Sequence, residues 1–362
     1  MIPLVKSYLP PKKALMRKLE NILYSGYISQ GEAVDTFEHE FAQFIGNKNC
    51  LSVNSGSSAL HIALILAGVT QNDEVISTPI TAEPTNTVIA QTGAKIVWAD
   101  IDLRTGNLCP KDVEKKITKK TKAIMAVAYA GMPINIAQFK KIEKKYNIPI
   151  IEDGAHALGA SYKNKKLGNH FDYTIFSFQA IKHLTTIDGG MLCVKNAKKF
   201  KDSKLIRWFG LDKNKTRFQN NISVQGYKYH MNNINATIGS VQLKYFDKVL
   251  HAYIDNGKYF DHALKNVDGL ELMEYYVHSE PSYWLYTMKV KKRARFIQMM
   301  ESNGIMASPL HKRNDVHSIF KHSKTNLPNV DSFNKEWVHI PCGWWVSHKD
   351  RKFIADTIKK GW

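Results

Sequence analysis

From about residue 50 the chain alternates short β-branched or apolar runs with longer stretches in which apolar side chains recur at helical spacing. A short apolar run bounded by turn residues suits a strand buried on both faces, and the longer period suits a helix lying on the sheet. The pattern predicts strands at 73–79, 94–102, 122–130, 148–154, 173–178 and 189–194, with helices at 57–68, 85–93, 109–117 and 134–147. Gly and Pro fall mostly at the joints, as turn chemistry requires. Strand and helix in regular alternation imply an α/β fold with a mostly parallel, mixed sheet flanked by helices.

After about residue 195 the pattern changes. Charged helical stretches lead into 232–267, which reads as one long helix or a broken pair. From about 268 follow a strand-like YWLYTMKVK, a helical RARFIQMMESNG and a terminal helical KDRKFIADTIKK. These predict a smaller C-terminal α+β domain and a division into 1–245 and 246–362. No repeat or low-complexity linker separates the halves, so they are expected to pack closely with a site between them.

Composition removes several classes. Of 362 residues, 44% are hydrophobic and 23% charged, which excludes wholesale disorder, collagen and coiled coil. No stretch approaches the roughly 18 apolar residues of a membrane span, and MIPLVKSYLPPKKAL lacks a long apolar run, so a cytosolic protein is expected. The 51 Lys and Arg against 32 Asp and Glu give +19, an excess able to attract nucleic acid, an anionic membrane or a phosphorylated substrate. Its densest runs, 111–122 and 139–147, mix Lys with Glu at helical spacing, as a solvated helix face does. Neither nucleic acid nor a membrane is therefore the expected partner. Cys50, Cys109, Cys193 and Cys342 form no CxxC pair, so neither a disulfide framework nor a metal site is indicated.

Four segments carry chemistry. In NSGSSALHIAL (54–64) a Ser/Gly turn runs straight into a helix, whose unpaired N–H groups and positive dipole end form an anion site, unless Ser55 or Ser57 is an ordinary N-cap. In IPIIEDGAHALGA (148–160) Glu152 and Asp153 end a buried strand, with His156 three residues on. A carboxylate at the carboxyl end of a parallel strand faces the ligand crevice and favours a protonated ring nitrogen; equally, it can cap the next helix. In FSFQAIKHLTTIDGGMLCV (176–194) Lys182 occupies a Ser/Thr/Gly connection between apolar strands, where a desolvated amine can form a Schiff base. GYKYHMNNINATIGSVQL (226–243) gathers Tyr, Lys, His and Asn ahead of an apolar helix, as a site loop or as a capped helix start.

In that order these segments resemble the DegT/StrS family of sugar aminotransferases, fold-type I enzymes dependent on pyridoxal 5'-phosphate (PLP). The likeness extends to YISQGEAVDTFEHEFAQFIG (27–46) and GIMASPLH (304–311) and so covers nearly the whole chain. The resemblance implies that Lys182 carries PLP, Asp153 pairs with the ring nitrogen and His156 bonds the ring hydroxyl. It assigns the phosphate to Ser57, the backbone at Ser58, and Ser177. A loop residue, Lys228 or His230, would reach the phosphate of the neighbouring subunit in a homodimer. Glutamate is the implied amino donor, and a nucleotide-linked 4-keto-6-deoxy sugar, or its 3-keto isomer, the acceptor. Arg313 and His311, with Trp284, Tyr286, Trp344 and Trp345, are candidates for binding it, packing being the competing role for each.

Three positions depart from the family pattern. Ala82 in TAEPT stands where relatives have an aromatic residue that stacks on the cofactor, Ala128 replaces a histidine, and Ile187 replaces a glycine. The rival readings are a PLP-binding regulator or sensor without turnover and, from the charge alone, a nucleic-acid-binding protein.

Overall fold

The computed structural model describes residues 1–323 and 325–362. Two N-terminal helices, α1 (Lys12–Leu23) and α2 (Glu32–Ile45), precede the strands β1 (Cys50–Val53), β2 (Glu74–Ser77), β3 (Lys95–Trp98), β4 (Thr121–Val127) and β5 (Ile150–Asp153). The two-residue strands β6 (Ser161–Tyr162) and β7 (Lys165–Lys166) form a small hairpin, and β8 (Tyr173–Ser177) and β9 (Gly190–Val194) complete the large sheet. Its order is β1-β9-β8-β5-β4-β2-β3. Only β9 runs antiparallel to its neighbours, β8 and β1, so the sheet is mixed and mainly parallel.

Helices α3 (Gly56–Leu66), α4 (Glu83–Gln91), α5 (Pro110–Lys116), α6 (Ile136–Tyr146) and α7 (Ala197–Arg207) connect the strands or cover the sheet. Strand alternation divides the core into two layers. Val75, Met125, Ile151 and Ile175 face one layer with Leu60 and Leu64 of α3. Ile76, Ile124, Ile150 and Phe176 face the other, with Phe37 and Phe41 of α2 and Phe139 of α6. The Lys-rich runs lie on helix surfaces, where Lys116 pairs with Asp112, Lys140 with Glu143 and Lys145 with Glu114.

The segment 232–267 is one helix, α8 (Asn233–Ala263), capped by the Asn232 side chain, which accepts from Asn235 N–H at 2.8 Å. It carries Phe246 and Leu250 in the large-domain core and Phe260 in the small-domain core. A cut at 245/246 therefore passes through continuous helix. Beyond it come β10 (Leu270–Leu272), β11 (Ser279–Glu280), β12 (Tyr286–Val290), α9 (Arg293–Ser302), α10 (Pro328–Glu336), β13 (Trp337–Ile340) and α11 (His348–Lys359). The antiparallel sheet β10-β12-β13 packs with α9 and α11 around Met288, Phe296, Ile340 and Ile354. Strand β11 pairs with β6, and α10 docks on the large domain, where Asp100 accepts from Asn329 and Val330 N–H groups. No helix among the described residues is long and apolar enough to cross a membrane.

Candidate active site

Register along the sheet brings the chemistry to one edge. Val127 at the end of β4 lies beside Asp153 at the end of β5, Asp153 beside Ile175 of β8, and Ser177 at the end of β8 opposite Gly190 at the start of β9. Gly190 is also opposite Val53, the last residue of β1, and the chain then turns through Ser55 into α3. A Cβ on Gly190 would fall 2.7 Å from Gly56 N and from the Ser55 carbonyl, and one on Gly56 would fall 3.0 Å from Ser177 Cβ. Two glycines thus let the first turn of α3 press against the strand ends, with the Ser177 hydroxyl beside it. The first N–H groups of that turn have no acceptor within the helix, so the corner is a cradle for an anion.

A cavity of about 370 Å³ opens here, lined by Gly56, Ser57, Ala82, Glu83, Thr85, Asp153, Ala155, His156, Ser177, Lys182, Asp188 and His311 among others. A larger groove of about 830 Å³ lies between α1, the segment after it, α2 and α8, away from this cluster of titratable groups. The smaller cavity is the candidate active site because the perturbed groups converge on it.

Asp153 is buried on its floor. Its Oδ2 accepts from Thr85 Oγ1 at 2.7 Å and its Oδ1 from Ala155 N–H at 3.0 Å. Burial raises its pKa, and these two donors and the Lys182 charge offset part of the rise. Burial pushes the Lys182 amine from 10.5 down to about 7, against the pull of Asp153. A lysine so placed is substantially neutral, hence nucleophilic, near neutral pH. Its Nζ lies 4.0 Å from the centroid of the Trp284 ring.

His156 is buried, stacks on Trp284 at 4.1 Å, and takes the Ala130 N–H on Nδ1 at 3.4 Å. Burial holds it well below its ordinary pKa, so the ring is neutral and carries its proton on Nε2. His311 lies parallel to it at 5.9 Å, its Nδ1 3.7 Å from Glu83 Oε2 and its buried Nε2 without a partner. Burial brings His311 down to about 4.

The structure therefore brings Ser57, Asp153, His156, Ser177, Lys182 and His311 together. It separates others. Ser58 does not line the cavity: its N–H donates to Ser55 Oγ at 3.0 Å and its hydroxyl to Asn54 Oδ1 at 2.6 Å, so it serves the helix cap. Arg313 is likewise outside, its guanidinium gripped by Asp315 at 2.7 and 2.6 Å and by Asp331. Those carboxylates raise its pKa further and leave it a brace for its loop, in place of the substrate contact expected. Tyr286 donates to Asp261, Trp344 to the Lys6 carbonyl and Trp345 to the Pro3 carbonyl, so these aromatics pack the small domain and the N-terminal segment. Lys228 is exposed, and its carbonyl is held by Asn54 Nδ2 at 3.1 Å. His230 packs edge-on against Trp208 at 4.2 Å.

Glu152, the other half of the acidic pair, alternates to the opposite face of β5, where Thr174 donates to it at 3.0 Å and burial raises it to about 7. Thr85 and Glu83, which no motif marks as functional, belong to the same TAEPT segment as Ala82. Cys50 and Cys193, distant in sequence, face each other across β1 and β9 at 3.4 Å as free thiols. No group of three metal-ligating side chains occurs among the described residues.

A mainly parallel sheet with a buried amine, a buried carboxylate and an anion cradle at one edge defines a carbonyl-handling enzyme of the α/β class. The chain belongs to the DegT/DnrJ/EryC1/StrS aminotransferase family, whose profile matches residues 11–359. Among solved structures it superposes with TM-score 0.97 on AtS13 from Actinomadura melliaura, at 37% identity over 100% of this chain and 99% of that one. The sugar aminotransferase CalS13 from Micromonospora echinospora gives TM-score 0.97 at 34% identity, covering 100% of both chains. GDP-perosamine synthase of Vibrio cholerae is 31% identical over 99% of this chain and 98% of its own. CalS13 is named as a sugar aminotransferase and the Vibrio cholerae protein as a GDP-perosamine synthase; neither name is that of a regulator.

Proposed function

We propose that this aminotransferase uses PLP to move an amino group from glutamate to a nucleotide-linked 4-keto-6-deoxy sugar, the 3-keto isomer being the second choice. The observation that carries the reading is the convergence of Lys182, Asp153 and the α3 cradle on one cavity. The residues present fit the cofactor. A buried carboxylate whose pKa burial has raised gains from a cationic ring nitrogen beside it, and the α3 corner, with Ser57 and Ser177, offers N–H and hydroxyl donors to a phosphate. The neutral His156 has a donor free for the ring hydroxyl.

Bound PLP supplies an electron sink for the charge that develops at the substrate carbon. Everything else falls to the chain. Lys182 would hold the cofactor and, once released as a free amine, would move the proton at the donor Cα. Asp153, kept in place by Thr85 and Ala155, would keep the ring nitrogen charged. Ala155, the small Ala82 and His311 line the cavity on the side where a substrate would enter beside Lys182. GDP-perosamine synthase and the UDP-4-amino-4,6-dideoxy-N-acetyl-beta-L-altrosamine transaminase of Campylobacter jejuni, 30% identical over 94% of this chain, support an acceptor linked to a nucleoside diphosphate.

The test is to incubate the protein with PLP, glutamate and a panel of TDP-, UDP- and GDP-linked 4-keto-6-deoxy and 3-keto sugars, reading products by mass spectrometry. An aminated nucleotide sugar is expected. Transfer to pyruvate or oxaloacetate with no sugar in the panel aminated would sink the sugar reading. In the same preparation, borohydride reduction with PLP should label Lys182, and Lys182→Ala should fold but lose the adduct and turnover.

A further inference from the structure

Residues 282–284 lead into β12 of the small domain, yet they lie against the cavity floor. Two hydrogen bonds join this strip to residues 181–183: Trp284 Nε1–H donates to the Ile181 carbonyl at 2.9 Å, and His183 Nε2–H donates to the Ser282 carbonyl at 3.0 Å. Between those bonds the Lys182 Nζ rests 4.0 Å from the centroid of the Trp284 ring. The strip itself is firmly held. Tyr283 adopts a left-handed φ of 49°, and its hydroxyl donates to Asp261 Oδ2 at 2.6 Å. Gly131 and Gly257 make the room, since a Cβ on Gly131 would fall 2.7 Å from the backbone nitrogens of both Tyr283 and Trp284, and one on Gly257 would fall 2.3 Å from the Tyr283 ring.

We propose that Trp284 is a positioning residue for Lys182: its indole face is the berth of the lysine amine whenever that amine has no covalent partner. The negative face of the ring attracts an ammonium and so offsets part of the desolvation that burial imposes. Because ring and lysine backbone are tied through Ile181, the amine returns to one place each time it is freed. The other titratable groups around it are Asp153 from β5, His156 from the turn after β5, His183 from the same segment and His311 from the loop before Arg313, with Glu83 of α4 behind His311. The three histidines are held neutral by burial, which leaves Asp153 and the indole face to favour the charged amine. The proposal rests on Lys182 as the cofactor lysine only for its consequence in the reaction.

The test is made on the full chain freed of cofactor. Lys182 is acetylated competitively with limiting acetic anhydride between about pH 5 and about pH 10, and its peptide is quantified by mass spectrometry. Removing a cation–π contact disfavours the charged form, so Trp284→Leu, which keeps an apolar cover, should lower the labelling midpoint by about one pH unit. Trp284→Phe, with a weaker aromatic face, should fall between that variant and wild type. A folded Trp284→Leu protein with an unchanged or raised midpoint overturns the proposal. Should Trp284→Leu not fold, a lowered midpoint in Trp284→Phe supports it and one equal to wild type overturns it. A borohydride adduct found on another lysine would end the cofactor assignment while leaving the labelling result standing.

Discussion

Adjacent residues 152 and 153 carry the same chemistry to opposite sides of one strand, and only the side decides which acts. Asp153 meets Thr85, Ala155 and the charge of Lys182; Glu152 meets a core, the Thr174 hydroxyl and the Gly168 backbone N–H, and does not line the cavity. Thr85 is the neighbour whose loss should be felt most, because a hydrogen bond to a charged group contributes about 1.5–3 kcal/mol. Thr85→Val should therefore reduce kcat/KM by about tenfold or more and weaken PLP retention on gel filtration, with Thr85→Ser close to wild type. Equal loss in both variants would show that the hydroxyl is not what matters. Lys182 supplies a pH signature as well. Its folded-state pKa of about 7 against an ordinary 10.5 leaves the native chain with fewer protons than the unfolded chain between those values. The stability of the cofactor-free protein should thus rise with pH across that window. Lys182→Met removes that slope: its advantage in Tm should be largest below about pH 7 and vanish by pH 10.5, and a difference independent of pH would mean the amine is not desolvated.

At the scale of elements, the site depends on how closely α3 approaches the strand ends. Gly190→Ala would place a methyl 2.7 Å from backbone atoms of Ser55 and Gly56, which cannot yield as a side chain can. The first turn of α3 must then shift, and PLP affinity should fall by tenfold or more, on the order of the charge-assisted bonds lost at the cradle. Equilibrium dialysis measures this, and unaltered affinity would place the phosphate elsewhere. Much of this architecture was legible in the chain because parallel strands buried on both faces are written as apolar runs, as at 148–151 and 173–178. Strand β1, CLSV, is not marked in the chain, because Ser52 interrupts its apolar run and the Ser/Gly turn follows at once. Likewise β13 begins directly where α10 ends, with no turn residue to mark the change. The cavity's primary residues were readable because each stands at a strand end or a Gly-rich turn. Thr85 meets Asp153, and Trp284 meets Lys182 and His156, through tertiary contacts that no local pattern records. Arg313 misled for the same reason, its partners Asp315 and Asp331 being fixed by the fold of a loop.

The whole molecule leaves apolar side chains exposed on segments around the site. Tyr24 and Tyr27 after α1, Ile187 beside the cavity, and Phe218 and Ile222 in the 209–225 region are all largely exposed, and the exposed Lys228 does not line the cavity. A monomer gains nothing from such exposure, whereas an isologous dimer would cover it on both subunits at once. We therefore expect a homodimer in which each subunit's 226–233 loop serves the other's cofactor phosphate. Sedimentation velocity should give a dimer at all working concentrations, and an active monomer would refute the arrangement. Subunit mixing tests the loop directly. Lys182→Ala and Lys228→Ala homodimers should each be impaired, the first completely. Unfolding and refolding them together makes half the dimers mixed, and each mixed dimer then has one site with both an intact Lys182 and an intact Lys228 from its neighbour. About one quarter of wild-type sites should return by this count. If Lys228 served its own subunit instead, neither site of the mixed dimer would be whole, and mixing would restore nothing.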